Sequence, residues 1–140
     1  MQVKVVVPWY RRRLWVLALI MCTGAVTAFG SDAEFPYDQE LLLETQPRPG
    51  SDRLPGMEVE SNGWATIDLW CASVRSRVRI EGSAISIVPQ SANPGTCSEQ
   101  SLREDAAMLE VLIKVTTWRR EGSALVLIGP QTFRYRVSSH

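Results

Sequence analysis

Two cysteines and a short run of acids are the residues in this chain whose types could do chemistry. Cys71 and Cys97 lie 26 positions apart, the only histidine is His140 at the C-terminus, and Glu99, Glu104 and Asp105 crowd one segment. A tetrahedral zinc site wants about four Cys or His ligands, and the chain holds no Cys-x-x-Cys pair to start one. A cysteine nucleophile would need His140 to reach back from a chain end. Paired carboxylates suit glycoside hydrolysis when held at the right separation. The same acids also suit the first turn of a helix, where they complement the positive end of the helix dipole. No G-x-S-x-G, H-E-x-x-H, P-loop or G-x-G-x-x-G pattern occurs, so the common motif-borne chemistries lack their parts. No catalytic residues, metal ligands or cofactor are expected, and the protein is not expected to be an enzyme.

The cysteines take on a different meaning from their setting. Arg11, Arg12 and Arg13 directly precede the uncharged 17-residue run Leu14–Gly30. The run is short of the roughly 20 residues that span a bilayer core and ends in small residues. It reads as a secretory signal peptide over residues 1–28, cleaved after Ala28 or at Gly30. Retention as a membrane anchor is the competing reading, and Met21 before Cys22 disfavours a lipid anchor. Periplasmic or secreted localisation follows, with no integral membrane span once the leader is removed. Cys22 leaves with the leader, and an even pair in a small exported domain reads first as a disulfide, ahead of buried free thiols. Closing that loop stabilises the fold by about 3.5 kcal/mol on the chain-entropy estimate.

Loss of the leader also removes Lys4 and three arginines, leaving 11 basic against 15 acidic residues, a net of −4. A nucleic-acid binder is thereby disfavoured. The acids concentrate between Asp32 and Glu60, a stretch with a net charge of −6, and the remainder is mildly basic.

The elements that would position these groups follow from periodicity. Residues 31–55 carry several prolines and read as an irregular lead-in with one short strand at Leu41-Leu42-Leu43. Asn62-Gly63 between MEVES and WATIDLWC is a hairpin signal. Alternation along the second run would carry Ala65, Ile67, Leu69 and Cys71 on one face, with Trp64, Thr66, Asp68 and Trp70 on the other. Next, Val74, Ser76, Val78 and Ile80 face inward and Arg75, Arg77 and Arg79 outward. SAISIVP reads as a strand stopped by Pro89. Ser101-Leu-Arg-Glu104 matches a capping box at the start of a helix over about 102–115, with Leu102, Ala106, Leu109 and Ile113 on one stripe. TTWRR, ALVLI and TFRYRV read as closing strands, the last with Arg134 and Arg136 outward. Strands, one helix and strands again give an α+β fold: an antiparallel cracked β-barrel or strongly curved sheet with one α-helix packed on it.

WATIDLWC, a two-strand unit, PGTCSEQSLREDAAMLEVLIKVTTW, ALVLIG and TFRYR in this order resemble the META/HslJ-like domain family over about residues 56–137. Cys71, Cys97, Glu104, Trp118 and Leu125 to Leu127 occupy matching places, and Trp70-Cys71-Ala72 stands where the family carries a Gly-Cys-Asn type motif. The resemblance implies an exported envelope domain built as a cracked barrel interrupted by a helix, and implies no catalytic set.

The function expected from these readings is a non-catalytic, envelope- or stress-related binding or interaction module, acting as a monomer. Its candidate surface is Arg75, Arg77, Arg79, Arg134 and Arg136 with Trp64 and Trp70. Its candidate partner is an envelope protein or an anionic surface. The bland alternative for the arginines is the solvated half of amphipathic strands, and for the tryptophans a second packing layer. The alternative function is a periplasmic hydrolase inhibitor.

Overall fold

A computed structural model describes residues 33–139. The expected signal peptide, its cleavage sites and Cys22 lie outside the described residues, as does His140. Among the described residues no helix is long and apolar enough to cross a membrane.

Eight strands and one helix follow in the order β1 Glu40–Leu43, β2 Gly56–Val59, β3 Trp64–Asp68, β4 Ser73–Glu81, β5 Ala84–Asn93, α1 Glu99–Leu112, β6 Thr117–Glu121, β7 Ala124–Ile128 and β8 Thr132–Val137. Each strand pairs antiparallel with the next in sequence, and β1 pairs with β8 to close a ring. The ring is uneven. β4 and β5 stay paired over nearly their whole length, whereas β5 and β6 share the single pair Ala84↔Thr117. The helix is inserted at that seam, so the expectation of a cracked antiparallel barrel with one helix holds.

Alternation places one side of every strand in the core. Leu41, Val59, Ala65, Ile67, Val74, Val78, Ile85, Leu125, Leu127 and Tyr135 are buried there. Burying each large aliphatic side chain contributes about 1.5–3 kcal/mol, and their convergence is what bends the sheet around one interior. Two hydroxyls are carried inward with them. Ser76 Oγ and Tyr135 Oη are buried without a hydrogen-bond partner, and burial pushes the Tyr135 phenol up from its ordinary value.

The lead-in belongs to this ring. Its strand at Leu41 bridges β2 and β8, and Phe35 upstream is 4% exposed, its ring edge-on to Trp118 at 5.1 Å. Trp118 in turn donates its indole N–H to Gly82 O at 2.8 Å. At the Asn62-Gly63 hairpin Gly63 adopts φ 86°, the left-handed conformation that glycine accepts without a Cβ penalty.

Three local expectations shift. The strand expected to run through Cys71 ends at Asp68, because residues 69–72 form a turn with Leu69 N–H donating to Ala72 O at 2.9 Å. The strand expected to stop at Pro89 continues to Asn93, with the register shifting by one residue beside Ser76 and Pro89. A bulge is a position where the missing proline N–H is tolerated. The helix begins at Glu99 rather than near 102, because Ser98 is the cap, its Oγ accepting from Ser101 N–H at 3.1 Å. Its buried side follows Asp105 and Leu112, and Ala106 of the expected stripe is exposed. Immediately after the helix the chain passes close to the β7–β8 turn. A Cβ on Gly129 would stand 2.8 Å from Lys114 O and Val115 Cα, so that crossing requires glycine.

Candidate functional site

The turn between β3 and β4 gathers more side-chain bonds than any other loop described. Asp105, 2% exposed on α1, accepts from the backbone N–H groups of Trp70 at 2.9 Å, Cys71 at 3.1 Å and Ala72 at 2.7 Å. Successive N–H groups converging on one point make an anion-binding concavity, and here the chain's own carboxylate fills it. Arg53 grips the carbonyls of the same turn. Its Nε donates to Leu69 O at 3.2 Å and its Nη2 to Cys71 O at 2.5 Å and Ala72 O at 2.7 Å. Ser51 Oγ donates to the remaining carbonyl, Trp70 O, at 2.9 Å. The Cys71–Cys97 disulfide, Cα to Cα 5.9 Å, fastens the turn to the residue before the helix cap. Cys71 therefore sits in a turn and not on a strand face.

This arrangement accounts for the acids that looked available for catalysis. Glu99 pairs with Arg103 at 3.8 Å, Glu104 with Arg48 at 3.2 Å, and Asp105 is committed to backbone donors. Among the described residues no group of three or more His, Cys, Asp or Glu is arranged to hold a metal ion.

Trp70 is 7% exposed, with the Arg48 guanidinium 4.5 Å above its ring. It is a covered packing residue and not an outward platform. Beside it an open cleft of about 540 Å³ is lined by apolar Leu43, Met108, Val111 and Phe133 and by charged Arg48 and Glu104. Its charges already satisfy one another.

The five arginines do not share one face. β4, with Arg75, Arg77 and Arg79, lies between β3 and β5, whereas β8, with Arg134 and Arg136, lies between β7 and β1. Most are neutralised locally. Arg75 pairs with Glu60 at 2.6 Å, Arg79 with Glu81 at 2.6 Å, and Arg134 with Glu44 at 2.8 Å and with Glu121. The hydrogen bond from Arg75, then that from Asn62, holds the Glu60 carboxyl below the ordinary glutamate range. Arg119 and then Arg134 do the same for Glu121.

Arg77 differs from its neighbours. Among the described residues no carboxylate pairs with it, and its one hydrogen bond is a long contact of 3.4 Å to Asn62 O. Its guanidinium lies 4.7 Å from the Trp64 ring centroid, with Arg75 at 5.1 Å from the same ring. The register aligns Trp64, Arg77 and Val88 across β3, β4 and β5. Val88, 52% exposed, is the exposed large apolar side chain among the described residues. An aromatic ring, an unpaired cation and an aliphatic group therefore form one outward row. Trp64 and Arg77 were legible as outward in the sequence, whereas Val88 was not singled out, because only the pairing register brings it beside Arg77. The same holds for Arg53, Ser51 and Asp105 at the turn, which are far apart in sequence.

The sequence matches the META domain family over residues 39–139. That span reaches further upstream than residue 56, and β1 accounts for the difference. Three solved structures are similar. One, from Burkholderia xenovorans and solved by NMR, is 13% identical with a TM-score of 0.57, over 74% of this chain and 84% of that one. A second NMR structure is 13% identical with a TM-score of 0.52, over 71% of this chain and 88% of that one. A DUF4847 family protein from Bacteroides vulgatus is 11% identical with a TM-score of 0.48, and the chain spans 57% of its length. No match is found among curated proteins. The first two likenesses bear on fold alone. With most of its length matched, including β1 to β8, this chain belongs to the META domain family.

Proposed function

We propose that this META domain is a non-catalytic binding module of the cell envelope, exported by the N-terminal leader and meeting an acidic partner protein through the outer face of β3, β4 and β5. The single observation that carries the reading is Arg77. A cation left without a carboxylate, stacked on Trp64 and adjoining exposed Val88, offers an anchor for an acidic group flanked by apolar contact. Arg75 and Arg79 are already paired and serve as the frame of that anchor. The disulfide supports export, since such bonds persist in oxidising compartments.

Two measurements test the reading. Fractionation with N-terminal sequencing is expected to find the protein in the envelope fraction, beginning at Phe29 or Ser31, with no free thiol. An intact leader on cytoplasmic protein refutes export. For the surface, a photo-crosslinking amino acid at position 88 is expected to yield an adduct in producing cells that disappears with Arg77→Glu. An adduct indifferent to that charge reversal refutes the role of Arg77, and pelleting with anionic vesicles would place a lipid surface in the partner's position.

A further inference from the structure

We infer that the outer half of β5 receives an extended acidic segment of a partner protein as an added strand. The inference rests on the binding face just proposed and specifies how that face is used. β5 is hydrogen-bonded to β4 through to Asn93, yet its ladder to β6 ends almost where it begins. The last backbone bonds across the seam are Ile85 N–H to Thr116 O at 3.0 Å and Trp118 N–H to Ser83 O at 2.9 Å. From Ile87 onward the side of β5 that faces away from β4 has no strand partner among the described residues. All of Val88–Asn93 is exposed.

An open edge of this kind is normally guarded by charge, especially lysine. Here Ser83–Ser98 contains no charged residue at all. Pro89 and its bulge shorten the edge, which sets a footprint of a few residues around Ile87 and Val88. Edge addition draws affinity from main-chain bonds and specificity from alternate side chains. On the outward side those side chains would land next to Val88, about 10 Å from the β4 backbone at two strand spacings. An arginine and a glutamate together span that distance. Arg77, directly across from Val88 and without a carboxylate, thus selects an acidic residue on the incoming strand. A second copy of this chain is a poorer occupant, because it would bring an uncharged edge and leave both Arg77 side chains unpaired.

The test uses the mature, oxidised protein and a capped Glu-Thr-Glu-Val-Glu-Thr-Glu peptide, with a lysine-for-glutamate peptide as control. Amide NMR titration and hydrogen exchange report the site. The acidic peptide is expected to perturb residues 85–93 and slow exchange at Ile87 by about tenfold or more, and Arg77→Glu or Arg77→Ala to weaken binding by about tenfold. The lysine peptide is expected not to bind. Arg77-dependent binding that leaves Ile87 exchange unchanged overturns strand addition while sparing the binding face. Absence of binding at millimolar acidic peptide overturns both. Protection of Ile87 that rises with protein concentration alone assigns the edge to a second copy and overturns the inference.

Discussion

Asp105 and Arg53 hold the same four-residue turn from opposite sides, the carboxylate taking its N–H groups and the guanidinium taking its carbonyls. Neither residue touches the turn's side chains to do so. A loop that joins two antiparallel strands is thereby tied to α1 through Asp105 and to the lead-in through Arg53.

Removing the carboxylate should expose that dependence. Asp105→Ala leaves three N–H groups without an acceptor in a buried setting and is expected to cost about 3 kcal/mol or more. Asp105→Asn is expected to be nearly as costly, since one carbonyl oxygen replaces two carboxylate oxygens and an amide donor faces backbone donors. Urea denaturation measures both, and a loss below about 1 kcal/mol contradicts the assigned role.

Arg53→Lys should also destabilise, by about 1 kcal/mol, because a point-charge ammonium cannot reproduce the fork that reaches Leu69, Cys71 and Ala72 together. The comparison to make is with Arg103→Lys, whose partner Glu99 is solvent-exposed. That pair is expected to contribute almost nothing.

Reduction of Cys71–Cys97, or replacement of both by serine, is expected to lower stability by about 3.5 kcal/mol for the 26-position loop. A thiol assay that finds two free cysteines in native exported protein would contradict the bond.

Tyr135→Phe is predicted to be neutral or to stabilise by about 1 kcal/mol, since it deletes a buried hydroxyl that has no partner. Thermal unfolding tests it, and a loss of more than about 1 kcal/mol would mean that the hydroxyl is engaged.

The depressed carboxyls of Glu60 and Glu121 give a pH signature of known sign. A group whose folded value lies below its unfolded value stabilises the fold above the unfolded value and loses that contribution as pH falls through the folded one. Carboxyl NMR titration is therefore expected to show midpoints below about 4.5 at both residues, with the associated stability lost only below that pH. Glu121 should shift upward in Arg119→Ala. Glu121 is exposed and Glu60 is partly so, and the effect on overall stability is expected to be small.

Much of the ring was legible in the sequence because alternation reports directly on which side of a strand is buried. Val74, Ser76 and Val78 against Arg75, Arg77 and Arg79 is a pattern with a period of two, and the Asn62-Gly63 turn announces its own geometry. The helix was legible as a helix and misplaced at its start. Ser98 and Ser101 are both plausible caps, and choosing between them requires knowing where the disulfide brings the chain in. Asp105 was hidden for a plainer reason. An acid in a first or second turn has an ordinary local explanation, and its real partners are some 35 residues away. Trp70 was read as part of an alternating strand, which fails once the strand gives way to a turn whose geometry is set by Asp105 and Arg53. The row Trp64, Arg77 and Val88 needed the β3–β4 and β4–β5 registers together, and Val88 lies in a strand run whose outward side carries no charge to mark it.

The grip on residues 69–72 also bears on which residues specify the loop. Asp105, Arg53 and Ser51 meet residues 69–72 at their peptide groups, and Arg53 reaches side chains only at the flanking Asp68 and Ser73. The shape of the loop therefore depends on three distant residues and the paired cysteine more than on the side chains of Trp70 and Ala72. This corner of the domain is then specified by a quartet scattered along the chain, Ser51, Arg53, Cys97 and Asp105, none of which lies in the loop that they shape.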